Sequence, residues 1–426
     1  MSYDTTRDSE QLDVIDHSID DFIDRYNNSS GPASGPRQTI FLFPGGMGST
    51  LKRATTAYDD TNPGVQTFKY KTVWATPFTF LGDALDLKMT KTAPGKYRDK
   101  GNRIIVADGQ VSFLGCTFYD GFTGWCAKKS LDSFIFGWDW RRRHQDSGKF
   151  FVAKFLPYFQ QRVKDGCNNA DPLASFSIVG HSAGGMVVNW ILRSAHPNIA
   201  TMAKAITVAT PFYGYSGQVH RWFEGDPLLN SLIMPKTAII KVICSLPACY
   251  AWQFLDYDTF AANQTAFAAD PDYPLTAYPS VDKASKGVAD PYNPGTKGSL
   301  SRYPTPSKTG FDADELYDAG TLVEYLASPL SAALAQKFFN IRGDTQADDT
   351  ISSTTWDWVP PTDPTPIANV APKVPGDGTQ PGWTARHLDL GAGAYPGHVI
   401  TVKGSDVEHM FTMNSPKTLA ALAGIL

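Results

Sequence analysis

Six consecutive residues, Gly180-His181-Ser182-Ala183-Gly184-Gly185, carry the most reactive pattern in the chain. They read G-x-S-x-G. An apolar run suited to a strand (SFSIVG) precedes them, and a segment with helical spacing (MVVNWILRSA) follows. A serine in a tight strand-to-helix turn projects above a sheet, with the helix amino end facing any anion that develops beside it. The small residues on either side let neighbouring backbone pass close by. Ser182 is therefore the candidate nucleophile. The bland alternative is a glycine-rich turn with a solvated serine.

A serine hydroxyl attacks poorly unless a base removes its proton. Eight histidines are available: His17, His144, His181, His196, His220, His387, His398 and His409. In the strand–turn–helix arrangement the order is nucleophile, acid, histidine, with the histidine in a loop after the last strand. HVITVKG is the last strand-like run and SDVEHM follows it, so His409 is the candidate base. His387 and His398 lie before or within that run and read as structural. His181 is next to the serine, but such a turn directs its side chain away from the place of a base. Two loops could supply the acid. Asp344 follows the run FFNIRG, with Asp348 and Asp349 close behind, and Asp377 sits in the polar turn PGDGTQP. Spacing alone does not separate them. A developing oxyanion needs two backbone donors placed in advance. Ala183 N–H is one candidate. The other comes from Pro44-Gly45-Gly46-Met47-Gly48-Ser49, with Gly46 first and Met47 next. That loop could also cradle phosphate, but it lacks G-x-x-x-x-G-K-[ST], so a nucleotide is not expected.

Six short apolar runs must position these groups: TIFLF (39–43), SFIFGWDW (133–140), SFSIVG (175–180), AITVATP (205–211), FFNIRG (338–343) and HVITVKG (398–404). Most of them are apolar on both alternations, as strands buried on both faces of a parallel sheet are. Helical segments such as VAKFLPYFQQRVKD lie between them. The alternation predicts an α/β fold with a mainly parallel central sheet and a site beyond the strands' carboxyl ends. Two long stretches, 52–130 and 212–336, interrupt it and read as lid-like and cap insertions. Residues 1–36 combine an acidic stretch of helical spacing with the linker-like NNSSGPASGP, and read as a partly ordered tail.

Composition removes several classes. Lys and Arg total 38 against 42 Asp and Glu, a net charge of −4, which argues against nucleic-acid binding and adhesion to anionic membranes. No apolar run is long enough to cross a bilayer, so no stable membrane insertion is expected. The polar start lacks the features of a secretory signal, which suggests a cytoplasmic protein or a secreted one that has lost its leader. The five cysteines form no paired CxxC motif, so no metal is expected. Cys116 with Cys126 is the first pair to test for a disulfide in an oxidising compartment.

Taken together, these segments resemble the lecithin:cholesterol acyltransferase-like branch of the α/β-hydrolases, over most of 39–426. FLFPGGMGSTL resembles its oxyanion segment, and TVWATPFTFLGDALDLKM the stretch after it. FIFGWDWRR resembles a further segment, with Trp138 where tyrosine is frequent. IVGHSAGG resembles the nucleophile segment, and CSLPACYAWQFL a cap segment with its last positions altered. PGDGTQP resembles the acid segment, with Gln380 for valine, and VEHMFTMNSP the histidine segment. The resemblance implies an α/β-hydrolase domain over 37–426 and a Ser182–Asp377–His409 triad, with Asp344 as runner-up acid. It also implies Gly46 and Ala183 as oxyanion donors, structural roles for Asp139 and Arg141, and no cofactor. The implied activity is hydrolysis of a hydrophobic ester, lipid or lactone. Acyl transfer to an alcohol and a non-catalytic binding protein of the same fold are the alternatives. Met47, Trp222 and Phe223 are the candidates for the substrate pocket; residues of 212–260 could equally form the cap's own core.

Overall fold

The computed structural model describes residues 5–28, 38–58, 66–74, 87–93, 96–100, 103–113, 116–167, 171–214, 218, 222, 236–282, 288, 290, 292, 311–348, 350–351, 354–357, 367–370, 373–390 and 395–426. The six apolar runs become six strands: β1 (Thr39–Phe43), β2 (Asp132–Ile135), β3 (Phe176–His181), β4 (Met202–Val208), β5 (Phe338–Asp344) and β6 (Val399–Lys403). They form one sheet in the order β6-β5-β4-β3-β1-β2, and every pairing is parallel. This is the α/β-hydrolase arrangement.

Both faces of the sheet are covered, which is why the runs are apolar throughout. Phe41, Phe43 and Ile178 point into one core, with the helices Thr5–Asn28, Leu156–Gly166 and Ala183–Arg193. Ile40, Leu42 and Val179 point into the other, with Asp120–Lys128 and Pro416–Ile425. The Phe41 ring is surrounded by Phe134, Phe151, Phe155, Phe159 and Phe176, at centroid distances of 5.1 to 6.0 Å. Truncating such a ring to alanine costs about 3–5 kcal/mol.

The chain reverses its direction of travel across the sheet at β1, which has β3 on one side and β2 on the other. Phe43 at the end of β1 lies opposite Gly180 near the end of β3. The loop Pro44–Gly48 and the Ser182 turn therefore leave the sheet side by side. Asp344, ending β5, is opposite Lys403 of β6, which brings the loops after those strands to the same edge.

The amino-terminal segment departs from the tail expected of it. Thr5–Asn28 is a helix with Ile15, Ile19 and Phe22 buried on one face. The Phe22 ring lies 5.0 Å from that of Phe159 and 6.2 Å from that of Phe134. The Gln11 carboxamide pairs with both backbone groups of Ala107, in the manner of a neighbouring strand. Arg7 reaches Asp139 at 2.9 Å. Burial alone would raise the Asp139 carboxyl, but Arg141, Arg7 and Arg142 outweigh it and hold it well below the usual carboxylate range. The linker at 29–37 lies outside the described residues.

Within 52–130, strands Ser49–Tyr58, Gln66–Trp74 and Ile105–Gln110 form a separate antiparallel sheet that begins directly after the Pro44–Gly48 loop. Within 212–336, helices Lys236–Ile243, Tyr257–Ala268 and Ala313–Ala327 and the turn at Pro247–Tyr250 contribute Ile239, Phe260, Val323 and Tyr250 to the same core as Phe41. Cys126, Cys167, Cys244 and Cys249 are buried and form no disulfide, so the Cys116–Cys126 bridge is not formed. Among the described residues, no helix is long and apolar enough to cross a membrane, and no cluster of three or more His, Cys, Asp or Glu could hold a metal.

Candidate active site

Ser182 follows β3 and caps the helix Ala183–Arg193 with φ 52° and ψ −129°. A non-glycine residue there stores roughly 1–3 kcal/mol of strain. Close approach of neighbouring backbone explains the glycines around it. A Cβ on Gly180 would stand 2.5 Å from Gly185 Cα, and one on Gly184 would meet the carbonyls of Phe43 and Pro44. The turn is wedged against the end of β1, which lifts the serine side chain out of the sheet.

His409 opens a 3₁₀ turn (His409–Asn414) beyond β6. Its Nε2 lies 2.8 Å from Ser182 Oγ, and its Nδ1 lies 2.6 Å from Asp377 Oδ2. The other Asp377 oxygen accepts Thr379 N–H at 3.0 Å and Gln380 N–H at 2.6 Å. Asp377 C=O accepts His409 N–H at 2.8 Å, so the two residues are tied through backbone as well as side chain. Asp377 is buried and His409 nearly so. Asp344 is turned elsewhere, accepting Tyr273 O–H and Gln346 N–H, both at 2.8 Å. Asp348 is exposed, and Asp349 lies outside the described residues. His387 is buried against Arg193, and His398 stacks on Phe339; neither is near the serine's partners.

The Pro44–Ser49 loop is held at almost every backbone group. Trp138 Nε1 donates to Pro44 C=O at 2.7 Å, Trp74 Nε1 to Met47 C=O at 2.8 Å, and Trp140 Nε1 to Ser49 C=O at 3.2 Å. Gly48 N–H donates to Gly45 C=O at 2.9 Å, and Gly45 N–H to Tyr119 Oη at 2.8 Å. Among the described residues, Gly46 N–H, Met47 N–H and Ala183 N–H are left without an acceptor. A Cβ on Gly46 would come within 3.6 Å of Ala183 Cβ and 2.8 Å of the Trp252 ring, so Gly46 faces the serine turn and its position admits no side chain. Met47 has φ 64°.

Sequence reasoning missed a second hydrogen-bond chain beneath the first. His181 Nε2 faces His409 C=O at 2.8 Å, and its Nδ1 is 3.0 Å from Tyr119 Oη. A carbonyl can only accept, so Nε2 carries the proton and Nδ1 accepts from Tyr119 O–H. Burial, with His409 nearby, pushes His181 down to about 3, which keeps it neutral for this role. Gly45, Tyr119, His181 and His409 are thereby linked in one buried series. No local signal marks Tyr119, because its partners are 62 and 74 residues away.

A small, largely apolar cavity of about 30 Å³ lies behind the loop, with Met47, Trp74, Leu87, Trp140 and Trp252 among its walls. Trp222 is not in that wall. It is fully buried, packed on Tyr250 and Phe311 at 5.2 and 5.4 Å, as part of the cap's own core. Phe223 lies outside the described residues.

The chain matches no protein-family model, and it matches no curated protein. Among solved structures it is similar to a chain of the Tle4–Tli4 complex, with a TM-score of 0.51 at 12% identity, covering 91% of this chain and 97% of that one. It is also matched to Aspergillus fumigatus lipase B at 13% identity, with a TM-score of 0.22 over 72% of this chain and 69% of that one. The first likeness agrees with the α/β-hydrolase architecture described above.

Proposed function

We propose that the chain is a serine hydrolase that cleaves carboxylic esters of hydrophobic substrates through an acyl-enzyme on Ser182. The observation that carries this reading is the unbroken series Ser182 Oγ–His409–Asp377, at 2.8 and 2.6 Å, beside unpaired N–H groups of Gly46 and Ala183. His409 Nε2 takes the Ser182 proton as Oγ attacks the ester carbonyl. Asp377 holds the imidazole with its proton on Nδ1 and stabilises the imidazolium. Gly46 and Ala183 N–H receive the oxyanion. His409 then protonates the departing alcohol, and water, activated by the same imidazole, releases the acid.

The motif order supports the lipase, esterase or lactonase type and the lecithin:cholesterol acyltransferase-like branch. The insertions at 52–130 and 212–336 are then the lid and cap. Acyl transfer differs only in the second nucleophile, and adding a primary alcohol to the assay distinguishes it by ester product formed beside free acid. The decisive experiment is a p-nitrophenyl ester series of increasing chain length, with lactones and phospholipids, on the native protein and Ser182→Ala. Turnover and fluorophosphonate labelling should both vanish in the variant. Unchanged turnover in Ser182→Ala would exclude this site, and an unlabelled native protein would favour a non-catalytic binding role.

A further inference from the structure

Carbonyls of the loop that carries Gly46 accept from the indole N–H groups of Trp74, Trp138 and Trp140. A trans peptide group is planar, so its C=O and its N–H point in opposite directions. A donor that fixes a loop carbonyl therefore also aims the N–H on the far side of the same peptide. Each of the three indoles aims a different N–H.

Trp138 Nε1–H holds Pro44 C=O, and the N–H of that peptide belongs to Gly45 and ends on Tyr119 Oη at 2.8 Å. Trp140 Nε1–H holds Ser49 C=O, whose peptide partner, Thr50 N–H, lies within the strand Ser49–Tyr58. Trp74 leads elsewhere. Its Nε1–H holds Met47 C=O at 2.8 Å. The N–H of that peptide belongs to Gly48 and donates to Gly45 C=O at 2.9 Å. On the far side of the Gly45 carbonyl is Gly46 N–H, which meets no acceptor among the described residues. One indole and two peptides thus run head to tail, and the series ends at the candidate oxyanion donor. Met47 N–H, the other candidate of the loop, lies outside the series. Its peptide partner is Gly46 C=O, which accepts from none of the described residues.

Hydrogen bonds joined head to tail polarise one another, each strengthening the next by about 10–30%. A donor that is aimed and polarised before charge develops is what an oxyanion requires. Trp74 acts from outside the loop. It ends the strand Gln66–Trp74 of the first insertion and is buried, with its ring 5.2 Å from that of Trp140. Resting on the ester-hydrolase reading of Ser182, we propose that Trp74 is a positioning residue of the oxyanion hole. Through Met47, Gly48 and Gly45 its indole N–H aims and polarises Gly46 N–H, and Gly46 rather than Met47 is the donor of the loop.

The test changes the donor at position 74 while keeping its shape. Benzothienylalanine incorporated there retains the fused rings and has no N–H. Tetrafluorotryptophan carries a more acidic N–H. Trp74→Phe is the simple genetic variant, and the two analogues carry the test should it not fold. Two quantities are measured: kcat and KM on a soluble p-nitrophenyl ester, and the inhibition constant of a trifluoromethyl ketone. Ser182 Oγ adds to that ketone, its proton passes to His409, and the hemiketal oxygen is left as an oxyanion. Without the N–H, kcat should fall roughly ten- to fiftyfold while KM changes less than about threefold. With the fluorinated indole kcat should rise roughly two- to threefold. Ketone affinity should follow kcat in both directions. A residue that only fills space would not respond to the acidity of its N–H, so a series in which kcat fails to follow donor strength overturns the proposal. An active native enzyme with a flat series overturns the proposal alone. A native protein that neither turns over esters nor takes a fluorophosphonate overturns the hydrolase reading, and the role of Trp74 with it.

Discussion

Asp377→Asn is the most informative single substitution, because the structure fixes how asparagine must sit. Thr379 and Gln380 N–H both point at Asp377 Oδ1. In the variant those donors retain the amide oxygen, so the amide NH₂ is driven to the position now 2.6 Å from His409 Nδ1. Two donors cannot face each other, so Nδ1 must give up its proton. The imidazole then carries its proton on Nε2, aimed at Ser182 Oγ, and cannot act as a base. The variant also loses the carboxylate that stabilises the imidazolium. Two unit charges about 4 Å apart at an effective dielectric constant of about 20 attract by about 4 kcal/mol, or about 10³-fold in rate. The wrong tautomer adds roughly tenfold, giving a loss in kcat of about 10³–10⁴. Fold stability should change little, since both backbone N–H groups keep their acceptor. The assay is kcat on a soluble p-nitrophenyl ester, with a thermal unfolding midpoint as control and Asp344→Asn as comparison. At 344 the amide oxygen of Asn would keep Gln346 N–H and its NH₂ would donate to Tyr273 Oη, a hydroxyl that can accept as well as donate, so the loss there should stay below about tenfold. A loss under tenfold in Asp377→Asn, or an equal loss in both variants, refutes the reasoning.

Tyr119→Phe removes the acceptor of Gly45 N–H and the donor to His181; kcat should fall about ten- to a hundredfold as the Pro44–Ser49 loop and the His409 backbone lose their common tie. A lowered melting temperature with unchanged kcat would make Tyr119 purely structural. Burial pushes His144, His181 and His387 each down to about 3. A depressed folded value means the unfolded chain binds more protons, so stability is full above about pH 6.5 and falls as pH drops toward 3. At pH 5 each histidine costs about 2 kcal/mol, and His144→Gln should flatten the decline of the urea midpoint between pH 6.5 and 4.5. An unchanged slope would remove His144 from that account. Burial pushes the Cys126 and Cys244 thiols up to about 12, and Cys167 and Cys249 are also buried, so native protein should leave these four unmodified by iodoacetamide, as read by mass spectrometry. Rapid alkylation of any of them would show that its cover opens.

The sheet was legible because its strands are buried on both sides: Ile40 and Phe41 go to opposite cores, yet both are apolar. The Ser182 turn was legible because its glycines answer steric demands that arise within a few residues. Asp377 was not separable from Asp344 by spacing, since both are buried carboxylates beside turns. What distinguishes them is long-range: Gly376 C=O holds Thr345 N–H, and the turn closes through the pairing of Gly376 with Pro381. The amino-terminal helix showed its apolar stripe, but its docking depends on Phe134 and Phe159, more than a hundred residues on. Trp222 shows the opposite limit, for apolar composition does not distinguish a chamber wall from solid packing.

The docking of Thr5–Asn28 has a practical consequence for anyone who shortens the chain. A cut before Gln38 looks harmless by composition, since it discards an acidic stretch and a glycine–serine stretch. It would unroof the rings of Phe134 and Phe159, leaving a sticky greasy patch that invites aggregation. It would also remove Arg7 from Asp139, whose neighbour Trp138 steadies the Pro44 carbonyl. Affinity tags and truncation series should therefore treat that helix as a splint, with soluble yield as the first casualty of its loss.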